Sequence, residues 1–196
     1  MKRSYYSSTI DEFLKQSDDN ILSELVRHNP FDLNDLQRNA WIEEIDILKR
    51  QLNGLSPGRI LFEYTIPRMG KRVDVVVLYG GIVFLLEFKV GATEYYKYMY
   101  DQVMDYALDL KNFQKACEHL PIVPIAIPTE AYYKKNVYDF YPDKVCKPIS
   151  ANKTSIQEVI LDVSKIFKYP DFDYNVWEDA PYMPTPTIIE AARAFI

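Results

Sequence analysis

Between Thr9 and Arg27 apolar side chains recur at helical spacing (Ile10, Phe13, Leu14, then Ile21, Leu22, Leu25), and Thr9 with Glu12 has the residues of a capping box. This pattern predicts one interrupted helix or two short ones, ended at Pro30. A second helix follows from an N-cap at Asn34, with Leu36, Ala40, Trp41, Ile45, Leu48 and Leu52 as its apolar stripe and Gly54 as its stop.

The periodicity then changes from helical to extended. Three β-rich runs, Arg59 to Ile66, Arg72 to Tyr79 and Ile82 to Phe88, are separated by Pro67–Gly70 and by Gly80–Gly81, which predicts an antiparallel meander. The second and third runs are apolar on both faces, so the sheet should be covered by helices on each side. From Tyr95 to Cys117 there is no Gly or Pro, and Met99, Val103, Tyr106, Leu110 and Phe113 fall on one helical stripe. Ile122 to Ile127 reads as a buried fourth strand despite Pro124, and Val145 to Ile149 as a fifth at an edge. Thr154 to Phe167 is a final amphipathic helix. The stretch 168–186, rich in Pro, Asp and aromatics, reads as a tail or linker, and Thr187 to Ile196 restarts a helical pattern too short to bury an apolar face alone. The expected fold is α/β, a central mixed sheet begun by the three-strand antiparallel meander with helices on both faces. It occupies residues 1–168 with a core over 33–128, and 169–196 form a linker and the start of a downstream region.

Composition narrows the class. With 196 residues, 48% hydrophobic and 26% charged, the chain suits one soluble domain. The apolar run from Val73 to Phe88 is interrupted by Gly80 and Gly81 and carries Asp74 and Glu87, so it is no membrane span. MKRSYYSSTI has no apolar stretch behind its basic residues, and a cytoplasmic location is expected. Cys117 and Cys146 form no CxxC, and His28 and His119 are isolated, which excludes a zinc site and leaves a hard, oxygen-bound metal. The net charge of -5 argues against a broad basic coat for nucleic acid; contact with such a partner must come from a local basic patch or be supplied by a partner domain.

The candidate chemistry lies on the meander. If Gly80 and Gly81 form a two-residue loop, Tyr79 faces Ile82, Val76 faces Leu85, and Asp74 sits opposite Glu87. Two carboxylates directly opposed across strands repel unless something compensates, and a divalent cation is the natural compensator. Lys89 shares the face of Glu87, while Leu86 and Phe88 point into the opposite layer. The competing reading is a semi-buried ion network of Asp74, Glu87, Lys89 and Arg72. Glu63 is a further candidate: an even-numbered loop around Arg68–Lys71 would set it opposite Val76 on the side of Asp74, and one extra residue would turn it away. Arg68, Lys71, Arg72 and Lys97, with Tyr95, Tyr96, Tyr98 and Tyr100, are candidates for phosphate contact and base stacking, or equally for a solvated surface.

Asp74, followed after twelve residues by Glu87-Phe88-Lys89 on a hairpin between two helices, resembles the PD-(D/E)xK nuclease superfamily across roughly residues 34–128. Val73 stands where the superfamily name has proline. Gln102 and Tyr106 match the QxxxY motif of the RecB-type branch, at a spacing that puts both on one helical face. FEYTIPRMGKRVDVVVLYGG, LEFKVG and DQVMDYALDLKNF are similar to the nuclease-like region ahead of bacterial Schlafen-type DNA/RNA helicase domains. The resemblance implies a restriction-endonuclease-like core and a Mg2+- or Mn2+-dependent nuclease acting on nucleic acid, DNA before RNA. Asp74 and Glu87 would bind the metal, Lys89 would assist the water, and Gln102 and Tyr106 would line the catalytic face. Glu43 or Glu44 would add the glutamate of the first core helix. It further implies a helicase or ATPase domain as partner, in mobile-element or phage defence, although this chain has no GxxxxGK[ST] loop. A non-cleaving binding or assembly module on the same scaffold is the alternative.

Overall fold

The computed structural model describes residues 2–66, 70–167 and 169–183. It opens with a strand that the hydrophobic pattern does not announce, β1 (Tyr6–Thr9), in which Tyr6 and Ser8 are the buried positions. Thr9 ends β1 and caps α1 (Ile10–Lys15). Its Oγ1 accepts from the Glu12 N–H at 3.1 Å, and the Glu12 carboxylate accepts from the Thr9 N–H at 3.3 Å, the reciprocal box that its residue types foretell. The helical pattern breaks at Gln16, and Ser17 caps α2 (Asp18–His28). Asn34 caps α3 (Asp35–Gln51) as expected, accepting from Gln37 N–H at 2.8 Å. Leu36 departs from its expected place in the stripe: it is 82% exposed and lines the cleft described below.

The meander is present as β2 (Gly58–Ile66), β3 (Lys71–Tyr79) and β4 (Ile82–Lys89). α4 (Lys97–Phe113) then returns the chain to β5 (Ile122–Pro128), which runs parallel to β4. The fifth run predicted over Val145 to Ile149 is mostly not a strand. Val145 makes one isolated bridge to Ile122, and only β6 (Ile149–Ser150) joins β5, because Pro148 has no N–H to give a continuous ladder. α5 (Ile156–Ile166) closes the series. The six strands lie in the order β1-β2-β3-β4-β5-β6, antiparallel through β4 and parallel beyond it. This is an α/β fold with a mixed sheet.

Each sheet face carries its own core. α1, α2, α3 and α5 cover one face through Phe13, Leu25, Trp41, Ile45 and Ile160 against Phe62, Val75 and Phe84. α4 covers the other through Met99, Val103 and Leu110 against Leu61, Val76 and Leu85. The stretch from 169 to 183, expected as a linker, packs on this second face instead. Trp177 is 1% exposed and packs against Tyr64 with ring centroids 5.1 Å apart and the planes tilted by 42°. Gln114 Nε2 donates to the Trp177 carbonyl at 3.0 Å, and Ser4 N–H to the Glu178 carboxylate at 2.9 Å. Large aromatic burial, invisible to a periodicity test in a Pro-rich segment, outweighs its loop-like composition. The helical pattern predicted over 187–196 lies outside the described residues.

One irregularity prepares the site. Phe62 and Val75 belong to the core beneath α3, whereas Tyr64 and Val73, two residues on in each strand, belong to the core beneath α4. Strict alternation would keep each pair on one face. Both strands therefore rotate at the same step, between the pairs Phe62↔Val75 and Tyr64↔Val73. The intervening residues are Glu63 and Asp74. Glu63 absorbs the rotation with a φ of 52°, a region costly for a side chain with a Cβ. Leu61, not Glu63, faces Val76.

Candidate active site

The Gly80–Gly81 turn sets the expected register, from Tyr79↔Ile82 to Val75↔Leu86. Beyond that last pair Asp74 Oδ2 accepts the Phe88 N–H at 2.8 Å, so a side chain replaces the backbone rung and the carboxyl is drawn between β3 and β4. There it lies close enough to Glu87 for the two carboxyls to interact electrostatically. α3 contributes Glu44 and β2 contributes Glu63, both 4% exposed. Burial, followed by the charges of Glu87, Glu44 and Glu63, holds the Asp74 pKa well above the ordinary carboxylate value. Glu44 is raised well above it by burial and by Glu63, Glu87 and Glu43. Glu87 is also raised by burial, against the downward pull of Lys89.

Two cations enter this cluster. Arg72 Nε pairs with Glu63 Oε2 at 2.8 Å, and Trp41 Nε1 donates to Glu63 Oε1 at 2.9 Å, so both Glu63 oxygens are satisfied. Lys89 Nζ donates to Gln102 Oε1 at 2.8 Å and lies 3.3 Å from Glu87 Oε1, while Gln102 Nε2 donates to the Tyr106 hydroxyl at 2.9 Å. Burial, and next the charge of Glu87, pushes the Tyr106 hydroxyl up to about 12, so it stays protonated at neutral pH. The ion-network reading accounts for Glu63 with Arg72 and for one oxygen of Glu87. It leaves Glu44 Oε2 and Glu87 Oε2 buried with no hydrogen-bond partner among the described residues. Four carboxyls meet two cations, and an uncompensated buried carboxylate is costly.

Among the described residues no three His, Cys, Asp or Glu side chains stand converged as a ready cage for a metal ion. Asp74, Glu87 and Glu44 are nevertheless the donor type that Mg2+ and Mn2+ take, and the two orphaned oxygens are what such an ion would satisfy. Mg2+ characteristically uses one or two carboxylates and leaves its other positions to water and phosphate.

The carboxyls lie at the junction of two open clefts. One, of about 700 Å³, is lined by Leu36, Glu43, Glu44, Lys89 and Tyr98; the other, of about 520 Å³, by Phe31, Lys71, Arg72, Gln102 and Tyr106. Asp74, Glu87 and Gln37 line both. Together they form a groove with acid groups at its middle.

Asp74, Glu87, Lys89, Gln102 and Tyr106 are thus brought together as the sequence pattern expects. Between the two glutamates of α3, Glu44 enters the cluster and Glu43 is half-buried on the cleft wall. Glu63 is committed to Trp41 and Arg72. Lys71 lies on the second cleft, 3.5 Å from Asp109. Lys97 is 86% exposed, pairs with Asp101 one helical turn on, and lines neither cleft. Arg68 lies outside the described residues. Of the tyrosines, Tyr98 lines the first cleft and stacks on Tyr96, whereas Tyr95 and Tyr100 flank Lys134. Two residues were missed: Gln37, whose spacing of seven from Glu44 puts it on the same helix face, and Phe31, for which no sequence signal exists.

No family model, curated protein or solved structure matches this chain. No helix among the described residues is long and apolar enough to cross a membrane.

Proposed function

We propose that this chain is a metal-dependent nuclease domain of the PD-(D/E)xK type, with a restriction-endonuclease-like core, that hydrolyses phosphodiester bonds in nucleic acid. The observation that carries the proposal is the pair of buried, unpartnered oxygens, Glu44 Oε2 and Glu87 Oε2, beside Asp74 at the centre of an open groove. Asp74, Glu87 and Glu44 would hold Mg2+ or Mn2+. Such an ion polarises a phosphoryl oxygen and makes water a stronger acid.

The chain's own residues supply the rest. Lys89 is fixed by Glu87 and Gln102, so its ammonium is positioned to hold the attacking water and to offset charge developing on the phosphate. Gln102 is in turn oriented by the Tyr106 hydroxyl, which ties α4 to the reacting face. Arg72, braced by Glu63, offers a fixed positive charge to the strand backbone in the second cleft. DNA as substrate, and a helicase or ATPase domain as partner in defence, complete the proposal on the strength of the sequence resemblance.

Incubating the purified chain with single-stranded, duplex and branched DNA and with RNA, in Mn2+ or EDTA, tests this reading. Cleavage should require the metal and fall by about a hundredfold or more in Lys89→Ala, the usual scale for removing a group that stabilises transition-state charge. Cleavage that persists unchanged in Lys89→Ala and Glu87→Gln would assign it to a contaminant. Metal-independent binding without cleavage would favour a non-cleaving binding module.

A further inference from the structure

The groove continues beyond the carboxylates. A third cavity of about 440 Å³ adjoins the second cleft and shares Phe31, Gly70 and Arg72 with it. Its other walls include Lys2, Tyr5 and His28, and no carboxylate is among its described lining residues, in a chain whose net charge is -5.

Phe31 is 66% exposed, yet its backbone is fixed. Asn29 Nδ2 donates to the Phe31 carbonyl at 3.0 Å, and the Phe31 N–H donates to Asn29 Oδ1 at 3.3 Å. An aromatic ring is therefore presented to solvent on a pinned loop. The Arg72 guanidinium lies over the rings of both Tyr5 and Phe31, at 5.1 Å and 5.6 Å. Tyr5 accepts from Arg72 Nη1 at 2.7 Å, and the Arg72 side chain still keeps 32% of its surface exposed.

We propose that this cavity is a nucleotide subsite that takes an unpaired residue of the strand whose phosphodiester lies at Asp74 and Glu87. Its base stacks on Phe31, and its phosphate meets Arg72, Lys2 and His28. The identity of the occupant rests on the nuclease reading; the cavity's charge and its continuity with the acidic groove select it. Stacking on a side chain requires a base face that is not already covered by neighbours in a duplex. Duplex binding without base contacts would instead need many neutralised phosphates, and this acidic chain offers few. The subsite therefore makes the domain prefer single strands, or ends and gaps where a base is unpaired.

The test titrates the whole chain, in EDTA and again in Ca2+, into single-stranded oligonucleotides carrying 2-aminopurine and into the matching duplex. Wild type should bind the single strand more tightly than the duplex and quench the 2-aminopurine. Phe31→Ala should weaken single-strand binding by about thirtyfold, the middle of the range for one stacked base, while Phe31→Trp retains it. Val137→Ala, which is 83% exposed and lines none of these three cavities, should change nothing. Equal binding by wild type and Phe31→Ala, a preference for duplex, or no single-strand binding would each overturn the subsite. Loss of binding in Phe31→Ala by a protein that never cleaves would sustain the subsite and remove the nuclease reading. Cleavage unaffected by Phe31→Ala would do the reverse.

Discussion

At the scale of single residues, the acidic cluster makes a signed statement about pH. Unfolded, Glu44 and Asp74 titrate at 4.5 and 3.8; folded, both are raised well above those values by burial and by neighbouring carboxylates. The folded state therefore binds the extra protons. Their stabilising contribution is complete below the unfolded values and is lost as pH rises through the raised folded ones. Metal-free protein should accordingly melt higher at pH 5 than at pH 8, and Glu44→Gln should shrink that difference. The same substitution removes a buried charge without changing shape, and each kcal/mol regained should raise the metal-free melting temperature at pH 8 by about 2–4 °C for a chain of this length. Differential scanning calorimetry of both proteins at both pH values reads this directly. Mn2+ should stabilise wild type at pH 8 far more than at pH 5, where protons compete for the same oxygens.

At the scale of elements, the site depends on a hairpin and on a step where two strands rotate together. Gly80 and Gly81 both have positive φ, at 60° and 74°, but a Cβ on Gly80 would approach only Ser164, at 3.2 Å, whereas one on Gly81 would lie 2.6 Å from the Pro170 carbonyl oxygen. Gly80→Ala should cost about 1–2 kcal/mol, the ordinary penalty of left-handed backbone, and Gly81→Ala distinctly more in urea unfolding. Glu63→Ala should cost about 2–4 kcal/mol, since it leaves the Trp41 Nε1–H without its acceptor and takes from Arg72 Nε its carboxylate; Glu63→Gln should recover part of it. The hairpin register was legible in the sequence as far as Val75↔Leu86 because two glycines fix the turn, and one step further strand periodicity brings Asp74 beside Glu87. The joint rotation at Glu63 and Asp74 was not, because alternation read on either strand alone assumes an unbroken pleat. Nor was β1 foreseeable: Tyr6, Ser7, Ser8 and Thr9 form too short and too polar a run to signal a strand without β2 beside them. The choice of Glu44 over Glu43 needed the direction of α3 over the sheet, which spacing does not carry.

At the scale of the whole molecule, the segment from 169 to 183 joins parts distant in sequence. It touches the hairpin turn, where the Gly81 N–H donates to Tyr174 Oη at 3.0 Å, the end of α4 through Gln114, and the start of the chain through Ser4. Its burial depends on Trp177, Tyr174 and Phe172 meeting the second core, a long-range event that local composition does not encode. Trp177→Ala should cost about 3–5 kcal/mol in urea unfolding, as for other fully buried aromatics. None of the cluster carboxylates is among the printed contacts of Trp177, so the proposed Mn2+ binding should survive in that variant once folded. The central claim is that Asp74, Glu87 and Glu44 form the seat of one divalent cation, and the measurement closest to it is a Mn2+ titration of the full chain followed by electron paramagnetic resonance. One Mn2+ per wild-type chain at pH 8, with binding lost in folded Glu87→Gln and weakened in folded Glu44→Gln, is the expected result. No saturable binding to wild type, or equal binding to Glu87→Gln, would contradict it.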